Sequence, residues 1–134
     1  QSVQEGNCVE KVNNLNGEYA KDDKMSFWVY QGRVKEEALP LCQRAVGDDI
    51  DFADDEAKKA LLDVYLTVGQ LDDFDSLYNS LSSVIDRDFI VDNAEAICSH
   101  MGEAVQTSEI AGTLTDEQRN ATKRVCEKAN ELAK

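Results

Sequence analysis

Hydrophobic residues recur along this chain at steps of three and four, which is the spacing of one face of an α-helix. The clearest run is DFDSLYNSLSSVIDRD, where Asp72 or Asp73 is placed to cap the first turn. The preceding segment EAKKALLDVYLTVG carries a second apolar face and stops at Gly69. We therefore expect the two segments to form a helical hairpin with a short connection. The apolar face of the first run comprises Phe74, Leu77, Tyr78, Leu81, Val84 and Ile85.

Two further helices are predicted near the carboxyl end. The segment TDEQRNATKRVCEKANELAK opens with Thr115 and places Gln118 three residues later, which is the pattern of a capping box. Its apolar stripe includes Cys126, and the stripe of the preceding NAEAICSHMGEAV segment includes Cys98. Both cysteines therefore lie on faces that turn inward, which is where an interhelical disulfide must lie.

The amino-terminal part is less regular. The segment NCVEKVNNL has a helical stripe that ends near Gly17. The apolar residues that follow are too dense for a narrow stripe, so they predict a well-buried central helix. That helix should break or bend near Pro40, since proline removes a helical hydrogen bond, and a short helical piece should then end at Gly47. These dense residues are Met25, Phe27, Trp28, Tyr30 and Val34.

Composition supports a helical class. The chain has 134 residues, which is the size of one ordinary domain, and 42% of them are hydrophobic, which is enough for one core. It contains one proline and seven glycines, too few for the many turns of a β-sandwich or barrel. We predict an all-α, single compact domain over residues 1–134, with five to six helices cross-linked by two disulfides.

The four cysteines indicate in which compartment the protein is found and which disulfides it can form. They form no C-x-x-C pair, so zinc ribbons and thioredoxin-type motifs are absent from the sequence. Three pairings are possible, and we favour Cys8–Cys42 with Cys98–Cys126 because sequence neighbours are usually spatial neighbours in a helical array. The alternative is four free thiols in a cytosolic protein. Disulfides predict a secreted, extracellular protein, and we expect that a signal peptide was removed before QSVQEGNC.

The charge narrows the choice of partners. A net charge of −13, from 27 acids and 14 bases, disfavours nucleic acid and anionic lipid and favours a basic protein partner. No apolar run approaches the roughly 18 residues of a membrane span, so membrane insertion is not expected.

The acidic stretch GDDIDFADDEAKK raises the question of a metal site. The ligand spacing of an EF-hand loop fails in every register, because Ala53, Asp54 or Glu56 falls where a ligand or a glycine is required. We expect instead that Asp54 caps a helix, that Asp55 and Glu56 fill its first turn, and that Phe52 packs back as a hydrophobic staple. The alternative is a surface that binds a partner, comprising Asp48, Asp49, Asp51, Asp54, Asp55 and Glu56.

The sequence contains few candidates for catalytic residues. His100 is the only histidine, and at two positions from Cys98 it points about 200° away on a helix, so we expect a surface side chain. We predict no catalytic residue, no metal, no cofactor and no enzymatic activity. Phe27, Trp28 and Tyr30 are compatible both with a ligand pocket and with ordinary core.

Three segments carry a family resemblance: GNCVEKVNNL, LPLCQRAV and RVCEKANEL. With them the chain resembles the short salivary proteins of anopheline mosquitoes, of the anophensin and albicin type. The resemblance implies a secreted, monomeric inhibitor of host defence that acts by binding a plasma protein complex. Its expected target is the assembled convertase of the alternative pathway of complement, and the alternative target is contact activation of the kallikrein-kinin system. No binding motif carries over residue by residue.

A third function is a carrier of small hydrophobic ligands, similar to insect odorant-binding proteins. The cysteine spacing of those proteins is shorter toward the carboxyl end than the spacing from Cys42 to Cys98 here, which counts against that class. The two kinds of function differ in a structural requirement. A carrier needs an apolar cavity, whereas an inhibitor needs only a surface.

Overall fold

Helices make up most of the structure, a computed structural model that describes residues 3–47, 52–81 and 86–134. A π-helical turn, Val34–Ala38, joins α2 to α3, so residues 27–46 form one continuous helix and the described ranges hold six helices in all. No β-strand occurs within those ranges, and the predicted all-α fold is confirmed. The helices are α1 (Val3–Lys21), α2 (Phe27–Arg33), α3 (Leu39–Val46), α4 (Asp55–Val68), α5 (Leu71–Leu81), α6 (Arg87–Ala111) and α7 (Asp116–Leu132).

Several helix ends follow the local sequence signals. The predicted capping box at the start of α7 is present: the Thr115 hydroxyl accepts from the Gln118 N–H, and the Gln118 side chain accepts from the Thr115 N–H. Gly69 ends α4 with φ of 78° and Gly112 ends α6 with φ of 73°, a left-handed conformation that glycine adopts without steric cost. The short α4–α5 connection predicted from Gly69 is therefore confirmed.

The helical irregularity predicted near Pro40 is also present. The π-helical turn Val34–Ala38 lies directly before α3, and Pro40 falls in the first turn of α3. In this continuous helix the N–H that proline lacks would have donated to a carbonyl of the preceding turn, so one helical hydrogen bond is missing at Pro40. The helix therefore continues past Pro40 with a change of hydrogen-bond pattern and ends at Gly47 as predicted.

Two boundary predictions were wrong. Helix α1 does not stop near Gly17 but continues to Lys21. Helix α5 begins at Leu71, so Asp72 and Asp73 lie inside its first turn rather than before it. Carboxylates there still favour the helix through its dipole. The predicted core positions Val84 and Ile85 lie outside the described residues.

A single hydrophobic core contains residues from every helix and from the π-helical turn, which makes one compact domain. Helix α4 is central, because it packs against α1, α3, α5 and α6. The largest side chains with almost no exposed surface are Phe74, Leu62, Leu66, Ile90 and Met101. No helix in the described part of the chain is long and apolar enough to cross a bilayer.

The predicted disulfide pairing is confirmed. Cys8 and Cys42 join α1 to α3 with a Cα–Cα distance of 4.8 Å, and Cys98 and Cys126 join α6 to α7 at 4.9 Å. Cys8 and Cys42 have no exposed surface, whereas Cys98 and Cys126 are partly exposed. One disulfide therefore lies among the amino-terminal helices and the other within the α6–α7 hairpin, and no cysteine remains to link the two groups.

Candidate functional site

A cavity of about 890 Å³ lies where α6 approaches α1, α2 and α4, and it is open to solvent on one side. Helix α1 lines it from Val9 to Ala20, α4 from Glu56 to Thr67, and α6 from Phe89 to His100. The cavity therefore lies at the junction between the amino-terminal helices and the α6–α7 hairpin.

One wall of the cavity is aromatic. The rings of Tyr19 and Tyr30 stack with centroids 4.5 Å apart, and Phe27 meets each of them edge-on at 6.1 and 5.9 Å. The ring of His100 meets Tyr19 edge-on at 5.6 Å. His100 is exposed, as predicted, and its ring also forms part of the cavity lining. Phe27 and Tyr30 are buried behind this wall, and the accessible aromatic surface comes from Tyr19 and His100.

The other feature of the cavity is a short polar chain on three helices. The Tyr30 hydroxyl on α2 donates to Asn16 Oδ1 on α1, and the Asn16 side-chain amide donates to the Asp63 carboxylate on α4. Each step uses one end of the Asn16 amide, so the geometry of all three groups is coupled. The chain fixes the Asp63 carboxylate in the cavity lining.

Asp63 is the titratable group with the most unusual surroundings. Burial raises the pKa of its carboxyl to about 6, and the hydrogen bond from Asn16 offsets part of that rise. Some of its surface remains accessible because it faces the cavity, so water reaches a carboxyl that protein atoms otherwise surround. Among the described residues, no lysine, arginine or histidine forms an ion pair with it.

The two tyrosines respond to the same surroundings. Burial raises the pKa of the Tyr30 phenol, and the negative charge of Asp63 raises it further. Burial also raises the pKa of Tyr19, with a smaller contribution from Glu103. Both phenols therefore stay protonated and remain hydrogen-bond donors at neutral pH.

Charged groups also line other parts of the cavity. Asp22 and Asp23 come from the connection after α1, and Glu56 and Lys59 come from the first half of α4. The Lys59 ammonium lies 5.3 Å from the centroid of the Phe89 ring, which is a cation–π contact. Acidic groups outnumber basic ones in the lining.

The three aromatic residues singled out from the sequence divide between two roles. Phe27 and Tyr30 are buried and line the cavity, so they belong both to the core and to the site. Trp28 does not line it. Its indole Nε1 donates to Ser108 Oγ on α6 at 2.9 Å, and its ring packs edge-on against Phe27 with centroids 5.4 Å apart.

The acidic stretch has a mixed outcome. Asp48, Asp49 and Asp51 lie outside the described residues. Asp54 occupies the N-cap position of α4, but its side chain makes no capping bond. The Glu5 carboxylate accepts a hydrogen bond from the Asp54 N–H, so a carboxylate of α1 satisfies that donor.

The remaining residues of that stretch are described. The predicted staple is wrong, because Phe52 is 85% exposed and packs on no helix. Asp55 lies in the first turn and pairs with Lys58 at 3.7 Å, and Glu56 lines the cavity. Among the described residues, no group of three or more acidic, cysteine or histidine side chains is arranged to hold a metal ion.

Sequence reasoning missed Asp63 and Asn16. One signal for Asp63 was present: it interrupts the apolar run LLDVYL, and its neighbours Leu62 and Val64 are both buried. A carboxylate between two core positions is costly unless it has partners, and so it marks a candidate site. No comparable local signal singles out Asn16, whose role depends on packing between helices.

Comparisons with protein-family models, with curated proteins and with solved structures found no match. The functional argument therefore rests on the residues of this chain.

Proposed function

We propose that this protein is a secreted binding protein that holds a small organic molecule in the cavity between α1, α2, α4 and α6, without changing it chemically. One observation carries the proposal. The cavity measures about 890 Å³, which lies within the range of about 300–1,000 Å³ that is usual for ligand pockets, and its lining combines aromatic rings with polar and charged side chains. A cavity of this size supports the binding of a small molecule, whereas an inhibitor that acts through a surface needs no cavity.

The rest of the molecule supports this proposal. Protein interiors are close-packed, and voids larger than a water molecule are few. Here an open cavity large enough for a ligand lies beside a core whose largest side chains are fully buried. The Cys8–Cys42 disulfide braces the helices on one side of the cavity and the Cys98–Cys126 disulfide braces α6 on the other, so less conformational entropy is lost within each side when a ligand binds.

A neutral fluorescent probe tests the cavity directly. We expect N-phenyl-1-naphthylamine to bind the purified protein with micromolar affinity and increased emission, because the aromatic wall excludes water from the dye. Ala96→Trp should abolish that binding by filling the cavity from α6, where Ala96 forms part of the lining. Ala111→Trp is the matched control, since Ala111 is exposed like Ala96 but lies outside the cavity lining.

Titration of dye fluorescence measures both affinities, and circular dichroism verifies that each variant is folded. The proposal is wrong if the dye does not bind at micromolar protein, or if both tryptophan variants reduce binding equally.

A second candidate is the inhibition of a host plasma cascade through a protein–protein surface. We propose this on the family resemblance together with one structural observation: Phe52 is 85% exposed directly before the acidic residues Asp54, Asp55 and Glu56. An aromatic anchor beside charged groups is typical of a residue that dominates binding to a protein partner. The charge of the stretch would favour a basic component of the complement convertase.

Lysis of rabbit erythrocytes under conditions restricted to the alternative pathway tests this candidate. We expect inhibition at micromolar protein, weaker inhibition as salt rises, and a loss of at least about tenfold in potency for Phe52→Ala. Ile110→Ala is a matched control, because Ile110 is similarly exposed at the far end of α6. If lysis is unaffected by the wild-type protein, the complement candidate fails and a kallikrein-kinin assay tests the alternative target.

A further inference from the structure

We propose that the cavity selects an organic cation: an ammonium group on an aromatic body, with the Asp63 carboxylate as its counter-ion. This inference rests on the proposed function, since it names the class of ligand that the same cavity takes.

The balance of charge in the lining is the first argument. Four carboxylates line the cavity, from Asp22, Asp23, Glu56 and Asp63, against one lysine, Lys59. The Lys59 ammonium lies over the Phe89 ring. The carboxylates would repel a negatively charged ligand, whereas they would attract a positively charged one.

The surroundings of Asp63 are the second argument. Its carboxylate accepts a hydrogen bond from the Asn16 amide, and no cationic side chain of the described chain pairs with it. A largely enclosed carboxylate that forms no ion pair is costly, and an ammonium group brought by a ligand would offset that cost. The polar chain through Asn16 connects the carboxylate to Tyr30, and both side chains line the cavity.

The aromatic wall is the third argument. The stacked rings of Tyr19 and Tyr30 lie beside the polar chain, because Tyr30 belongs to both. Aromatic faces attract an ammonium group, and they also pack against an aromatic body. A cation with an aromatic body would therefore meet the Asp63 carboxylate and the partly exposed ring of Tyr19 within one cavity.

Three naphthalene derivatives of nearly equal shape test the selectivity. They are 2-(2-naphthyl)ethylamine, which is cationic at pH 7.5, 2-(2-naphthyl)ethanol, which is neutral, and 2-naphthylacetate, which is anionic. Calorimetric titration should find that the amine binds about 10- to 100-fold more tightly than the alcohol, the range expected for a charge-assisted hydrogen bond. The acetate should bind more weakly than the alcohol.

Two matched variants identify the counter-ion. Asp63→Asn keeps the shape of the side chain and an acceptor for the Asn16 amide. It should weaken binding of the amine by at least about tenfold and change binding of the alcohol by less than about threefold. Asp73→Asn removes the same charge from an exposed position of α5 outside the cavity, and both ligands should then bind as they do to the wild-type protein.

Measuring amine affinity over a pH series gives a further test, because a purely structural role of Asp63 would not make the affinity depend on its charge. Amine affinity should fall between pH 7.5 and pH 5, because protonation removes the charge of Asp63. His100 on α6 also faces the cavity, so the series is repeated with His100→Gln, in which the fall should persist. The other titratable groups facing the cavity are Tyr19, Asp22, Asp23, Tyr30, Glu56 and Lys59.

The outcomes distinguish the selectivity for a cation from the proposed binding of a small molecule in the cavity. If the neutral dye and the alcohol bind but the amine has no advantage, or keeps it in Asp63→Asn, the cation inference is overturned while the cavity proposal stands. If the dye and all three naphthalene compounds fail to bind, both are overturned.

Discussion

Replacing Cys8 and Cys42 together by alanine is expected to lower the free energy of unfolding by about 3–4 kcal/mol. The disulfide closes a loop between residues 34 positions apart, and its removal restores the conformational entropy of that loop to the unfolded chain. Both cysteines have no exposed surface, so the substitution also leaves a small void in the core. The melting temperature should fall by about 10–20 °C.

Urea denaturation followed by circular dichroism measures the change. The double variant Cys98→Ala with Cys126→Ala is the natural comparison, because its loop spans a similar 28 positions while both residues are partly exposed. It should lose nearly the same entropic contribution and less packing. A loss below about 1 kcal/mol for the Cys8–Cys42 pair would contradict the expectation.

Asp63→Asn is expected to stabilise the protein above pH 7, by about 1–3 kcal/mol. In the folded protein burial raises the pKa of Asp63 to about 6, against 3.8 for an unperturbed side chain. The native state therefore binds this proton more tightly than the unfolded chain does, and ionisation of Asp63 destabilises the fold. Asparagine cannot ionise, and it retains an oxygen that accepts from the Asn16 amide.

The pH dependence gives this prediction its sign. The favourable contribution of the raised pKa is complete below pH 3.8 and is lost as the pH rises through 6. The advantage of Asp63→Asn over the wild-type protein should therefore be small at pH 4 and largest at pH 8.

Urea denaturation at those two pH values measures the advantage directly. Asp73→Asn, in an exposed position, should change stability by less than about 0.5 kcal/mol at either pH. An equal effect of Asp63→Asn at both pH values would show that ionisation is not its cause. A group that costs stability in the folded protein is typical of a residue retained for binding.

Much of the fold could be predicted because its determinants are local. The stripe of Phe74, Leu77 and Leu81 shows which face of α5 turns inward, and all three are buried. The pair Thr115 and Gln118 fixes the start of α7, since a capping box needs only residues within one turn. The disulfide pairing was also predictable, because each bridge joins helices that are close in the chain.

The cavity could not be predicted in the same way. Its polar chain brings together Asn16, Tyr30 and Asp63, which lie on three different helices. The apolar stripe of a helix predicts which of its faces is buried, but it does not predict where a gap remains between neighbouring helices. The error at Phe52 has a related cause. A staple is inferred from its position before the cap, whereas the Phe52 ring is exposed and does not pack against the helix.

The placement of the disulfides has a consequence for how a ligand exchanges. Each bridge lies inside one group of helices, and the cavity lies at the junction between the two groups. Contacts across this junction include the Trp28–Ser108 hydrogen bond, the Tyr19–His100 ring contact and the Lys59–Phe89 cation–π contact. Such contacts contribute on the order of 1 kcal/mol each. Among the described residues, the walls of the cavity on the two sides are therefore held together by the shared core and by these non-covalent contacts, and no disulfide crosses the entrance through which a ligand would pass.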